Sequence, residues 1–75
     1  MSDLQRLAEF RDCMNSAHRS VMLARRAPAD PAQLRNARVA LMLAMTHFEL
    51  ALTSCRLPIP PRLRQESQLL RRLLA

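Results

Sequence analysis

The sequence predicts an all-α fold: an antiparallel helical hairpin of two long helices plus a short C-terminal amphipathic helix. Three observations predict it. Glycine is absent from the 75 residues, and the aromatics are Phe10 and Phe48 alone, so the chain is poor both in residues that make φ > 0 turns and in residues that favour strands. Ala, Leu, Met, Arg and Gln, all strong helix formers, dominate the composition. The prolines fall in two groups, Pro28 with Pro31 and Pro58 with Pro60 and Pro61, and they divide the chain into three segments of helical periodicity.

The first helix is expected from about Asp3 to Arg26. Ser2 can cap it, with Gln5 three residues on completing a capping box. Leu7, Phe10, Met14, Ala17, Val21 and Ala24 recur at spacings of three and four and form one apolar stripe. The other face carries Arg6, Arg11, Asp12, Asn15, Arg19 and Arg26. The turn then reads Ala27, Pro28, Ala29, Asp30, Pro31, in which Asp30 is a good N-cap and Pro31 suits the first helical position. A connection this short makes the two long helices antiparallel neighbours.

The second helix is expected from Pro31 to about Arg56. Leu34, Ala37, Leu41, Ala44, Phe48, Ala51 (with Leu52) and Cys55 form the stripe expected to face the first helix. A second apolar set, Val39, Leu43, Thr46 and Leu50, lies on nearly the opposite side. A helix apolar on two sides must be covered on two sides. Leaving Val39, Leu43 and Leu50 in water forgoes roughly 1.5–3 kcal/mol each of burial free energy, and the sum rivals the total stability of a modest domain, roughly 5 kcal/mol. Two covers are available: the third segment folded back as a three-helix bundle, or a second chain. The third segment, about Arg62 to Leu74, presents Leu63, Leu69, Leu70, Leu73 and Leu74 after a stiff linker of alternating prolines. The expected organisation is a hairpin over 1–57, a Pro-rich linker over 58–61 and the C-terminal helix over 62–75, all one domain. A chain this small buries only roughly 60% of the surface its unfolded form exposes, so a partner subunit is a natural source of added stability.

No catalytic constellation is evident. Ser-His-Asp and Cys-His arrangements are missing, a Gly-rich phosphate loop is impossible without Gly, and the acidic residues are scattered, so no enzyme and no cofactor are expected. Cys13, Cys55, His18 and His47 are the conceivable metal ligands. In the expected hairpin, opposed residues have numbers summing to about 58, which brings Cys13 near His47 but leaves Cys55 roughly 15 Å from Cys13. No disulfide closes that gap, and two ligands do not make a structural zinc site. No metal is expected.

The net charge is +6, and every basic residue is Arg. That usage, with abundant Ala and Leu, points to a GC-rich bacterial genome. The first residues lack the basic-then-apolar pattern of a secretory signal, the apolar run Val39 to Leu52 is too short to span a bilayer and is broken by His47 and Glu49, and two cysteines do not form a disulfide framework. A cytoplasmic location without a membrane span is expected. Arg25, Arg26, Arg35 and Arg38 gather at the hairpin turn with only Asp30 among them, a possible anion-binding cluster. Nucleic-acid binding is disfavoured by the scarcity of aromatics for base stacking and by a second helix too apolar for a major groove.

A long capped helix, the Asp30-Pro31 start and a second apolar helix within about 75 residues resemble the small helical-hairpin co-chaperones of bacterial type III secretion needle subunits, the YscE type. The resemblance covers about Leu4 to Arg56. It implies pairing with a tetratricopeptide-like chaperone, with Val39, Leu43, Thr46 and Leu50 as the partner face. The residues themselves predict a protein-protein interaction module: a small adaptor, co-chaperone or regulator that binds through Val39, Leu43, Thr46 and Leu50, together with Leu69, Leu70 and Leu73 of the third helix. The partner is another protein in a hetero-oligomer, or the chain itself in a homodimer that inhibits a regulator. A small basic nucleic-acid-binding protein using the Arg clusters is the alternative from another class.

Overall fold

A computed structural model describes residues 2–26 and 28–75; Ala27 of the turn lies outside them. The described residues are helical in three segments, α1 (Asp3–Ala24), α2 (Pro31–Ser54) and α3 (Pro61–Leu74), with no strand among them. The all-α class follows from the absence of good strand formers and from the three proline-bounded windows.

Each helix start has a local cause. The Ser2 hydroxyl accepts the Gln5 N–H at 3.2 Å and so satisfies one of the unpaired amides of the first turn of α1. Asp30 accepts the Ala32 N–H at 2.9 Å ahead of Pro31. For α3 no side chain caps the first turn. Pro61 takes the first helical position, where its missing N–H costs nothing, so the linker ends one residue earlier than the sequence suggested. The ends of α1 and α2 also fall two residues earlier than expected, at Ala24 and Ser54.

The end of α2 shows what the lack of glycine costs. Arg56 has φ 58°, the left-handed conformation that glycine usually supplies after a helix. Its N–H reaches the Thr53 carbonyl at 3.0 Å, and the Leu57 N–H reaches the Leu52 carbonyl at 2.9 Å. These two bonds make a Schellman closure and satisfy carbonyls that would otherwise end in solvent. A Cβ in this region costs about 1–2 kcal/mol.

Asp3 and Arg6 of α1 border the same groove as Ser54 and Cys55 of α2, while Ser16 and Ser20 border another with Ala40. Numbers therefore fall along α2 as they rise along α1. Because the connection to α3 is short, α3 starts at the end of α2 and packs back against it, in the same sense as α1.

α2 lies in the middle and packs against both other helices, whereas the backbones of α1 and α3 do not meet. Leu41, Met45 and Leu52 of α2 are buried with Leu63 and Leu70 of α3. Leu7, Met14, Ala17 and Val21 of α1, with Met42, Phe48 and Ile59, pack around this cluster. Met45, which belongs to neither of the two apolar sets expected on α2, has no exposed surface at all. The core lies along one edge of the set that contains Leu41, because α1 and α3 approach α2 from adjacent flanks rather than from opposite ones.

That placement corrects two expectations. α3 does fold back, yet it leaves the Leu43 and Leu50 face of α2 uncovered. Leu70, expected on the partner surface, is in the chain's own core. It shares one face of α3 with Leu63, seven residues away, and with the buried Ser67 between them.

Replacing Met45 by Ala empties the centre of the only core cluster among the described residues. A loss of about 2–5 kcal/mol is expected, enough to abolish the cooperative urea transition followed by circular dichroism. Arg56→Gly has the opposite sign. It relieves the left-handed strain at small entropic cost, and a gain of about 1 kcal/mol is expected in the same measurement.

Candidate functional site

The outer face of α2 is built from two short repeats. Leu43 and Leu50 lie seven residues, nearly two turns, apart and project on one side, with Val39 and Thr46 beside them. Leu43 is 50% exposed and Leu50 60% exposed, while Val39 and Thr46 are half-buried. The Thr46 hydroxyl donates to the Met42 carbonyl one turn back at 2.9 Å. Its hydrogen-bonding capacity is thus largely used within α2, and the residue contributes to this face mainly through its methyl group.

Beside this face runs the seam between α1 and α2, opened into two grooves. One, of about 290 Å³, is bordered by Leu7, Phe10, His47, Leu50, Ala51 and Cys55 among others. The second, of about 440 Å³, is bordered by Phe10, Cys13, Ala17, Leu43, Ala44 and His47 among others. Phe10 and His47 stand between them with ring centroids 6.2 Å apart and planes tilted by 54°. The grooves exist because the seam is lined by small side chains: Ala17, Ala40, Ala44 and Ala51 cannot fill the space between two helices. The sequence pattern assigned Ala17, Ala44 and Ala51 to the stripes that face each other across α1 and α2. The signal that could have revealed the grooves is the coincidence of alanines on both facing stripes.

The C-terminal leucines divide. Leu69 and Leu73 are 57% and 52% exposed, and Leu70 faces inward. Leu69 and Leu73 sit three and seven residues beyond Glu66, on its side of α3. The Glu66 carboxylate meets His18 of α1 at 2.9 Å, the one contact between a basic and an acidic side chain among the described residues. Both partners are partly exposed, so the contact guides the docking of α3 more than it holds it. Leu69 and Leu73 therefore belong to the α1–α3 side of the molecule, apart from the Leu43 and Leu50 face.

At the turn end, Arg25, Arg26 and Arg35 are exposed and Arg38 is half-buried. None is in an ion pair among the described residues. Asp30, the acid between them in sequence, is engaged in capping α2. Cys13 is exposed and Cys55 half-buried, both as free thiols. No three His, Cys, Asp or Glu side chains converge as a metal would require among the described residues, and no described helix is long and apolar enough to cross a membrane. One carboxylate oxygen of Glu49 is buried without a hydrogen-bond partner. It lies one turn beyond Met45, toward the flank that α3 covers, and opens into neither groove.

No known protein family, curated protein or solved structure matches this chain.

The Glu66–His18 contact is testable on its own. Glu66→Gln removes the charge and is expected to weaken the docking of α3 by about 0.5 kcal/mol. Amides of α3 should then exchange with solvent roughly twofold faster, with α1 and α2 unchanged.

Proposed function

We propose that this chain is a non-catalytic protein-protein interaction module, a small adaptor, co-chaperone or regulator whose α1–α2 hairpin binds a partner through the outer face of α2. One observation carries the reading: with α3 docked, Leu43 and Leu50 are still half or more in water, beside two open apolar grooves. Completing the burial of each leucine is worth about 1 kcal/mol or more, a large increment for a domain of this size. Leu69 and Leu73 offer a smaller second contact. The likeness in size and helix pattern to the needle-subunit co-chaperones supports a bacterial, cytoplasmic role in keeping another protein soluble, with Val39, Leu43, Thr46 and Leu50 as the face that does so.

A second reading, phosphate binding by a small basic protein, rests on Arg25, Arg26 and Arg35, which are exposed and outside any ion pair among the described residues. Ionic strength separates the two. Three arginines on phosphates would lose roughly 40-fold in affinity between 50 and 200 mM salt, since the slope follows the number of phosphates neutralised. An apolar helix face should hold its partner across that range.

The direct test is Leu43→Asp in the full-length chain, purified under native conditions from its own cells. The expected result is loss of the associated species with the helical circular dichroism intact. A variant that keeps every association of the wild type would sink the reading.

A further inference from the structure

We propose that the occupant of the α2 outer face is a second copy of this chain, docked about a twofold axis with the two α2 helices antiparallel. The inference rests on the preceding reading of that face as an interface, and it names the partner.

The first argument is one of fit. Leu43 and Leu50 are two projections about 10 Å apart along α2. The two grooves lie at those same two levels, one bordered by Leu43 and the other by Leu50, with Phe10 and His47 between them. In an antiparallel pair whose axis passes near Thr46 and His47, Leu43 of each copy comes opposite Leu50 of the other. Each Leu43 then enters the partner's groove beside Leu50, and each Leu50 the groove beside Leu43. Two projections then meet two recesses, since Leu43 borders one groove and Leu50 the other. A twofold interface requires this self-complementarity: one patch must carry both halves of every contact.

Charge gives the second argument. The chain carries +6, yet from Val39 to Leu50 this face has no Arg, Asp or Glu, and the one cation in line with it is the exposed Arg35, a turn before Val39 at the turn end. Arg38 and Glu49 stand about 100° or more round the helix from Leu50. At the groove edge Arg6 has Asp3 beside it. An acidic protein or a nucleic acid drawn by the net charge would find no row of cations on this face, whereas a second copy brings an equally uncharged strip. Antiparallel docking also keeps the two turns, each with Arg25, Arg26, Arg35 and Arg38, at opposite ends of the assembly, where parallel docking would set eight arginines side by side.

The area suffices. A stable interface takes about 800 Å² from each partner, roughly a seventh of the 5762 Å² that the chain exposes. The α1–α2 seam, about 33 Å long and about 20 Å across two helix diameters, has a projected footprint of about 660 Å², and the relief of its side chains raises the accessible area toward that size. The product is a four-helix bundle of two hairpins, with each α3 on the outside of its own α2.

Sedimentation equilibrium on the full chain tests the proposal. The wild type is expected at twice the chain mass, and Leu43→Asp and Leu50→Asp are expected to weaken self-association at least 100-fold, because each change strikes the symmetric interface twice. Register is read with Cys13 and Cys55 replaced by Ser. Under oxidation, Leu43→Cys mixed with Leu50→Cys should give a cross-linked dimer, and neither should do so alone. Cross-linking of Leu43→Cys with itself would overturn the antiparallel arrangement. A wild-type monomer at about 100 µM, with a different chain recovered from native cells and lost in Leu43→Asp, would overturn the second-copy assignment and leave the interaction reading standing. A monomer for which Leu43→Asp changes nothing in either experiment would overturn both.

Discussion

The structure depends on the packing of one helix against two others along adjacent flanks. Leu41, Met45 and Leu52 recur at spacings of four and seven and form the row on α2 that α1 and α3 jointly bury. Neither outer helix has a core of its own. α1 has no fully buried residue, and α3 buries Leu63, Ser67 and Leu70. Short amphipathic helices are marginal in water and gain their stability from the apolar face they bury. Here nearly all of that burial is gathered around the middle of α2, with Met45 fully enclosed.

The flank chosen by α3 decides what the rest of the molecule presents. Its buried residues follow a heptad with the small Ser67 between two leucines, and they lie against the side of α2 next to α1. A cover placed there completes the core that α1 begins. A cover placed over Leu43 and Leu50 would have left Leu41, Met45 and Leu52 open along the other edge. The folded chain therefore closes its deepest apolar row and keeps a shallower one in water. The contact between His18 and Glu66 ties α3 to α1 on the closed side, away from the open face.

The exposed apolar face is thus a remainder, set by how many flanks of α2 a chain of this length can cover. Its character comes from side-chain size. Alanines along the α1–α2 seam leave grooves, the leucines at positions 43 and 50 stand beside them, and Phe10 with His47 keeps the grooves apart. Such a face offers shape and apolar area and almost no charge. Arg6 borders one groove and Arg35 lies a turn before Val39, while the other arginines sit on other parts of the molecule.

Much of this architecture is written locally. Ser2, Asp30, Pro31 and the proline groups act within a few residues of themselves, through capping bonds and a fixed φ, so the helix starts and the all-α class could be read within a residue or so. The two-sided apolar character of α2 was equally plain, since periodicity records which residues avoid water. Periodicity does not record which neighbour covers which flank. Met45 fell between the two apolar sets, Leu70 was read as facing outward, and the seam grooves beside Ala17 and Ala44 were not foreseen. Each depends on the angle at which a distant helix approaches, and that angle is set by the summed packing of all three helices. Tertiary structure alone decided that α3 would share the flank next to α1, and with that choice it left Leu43 and Leu50 facing outward.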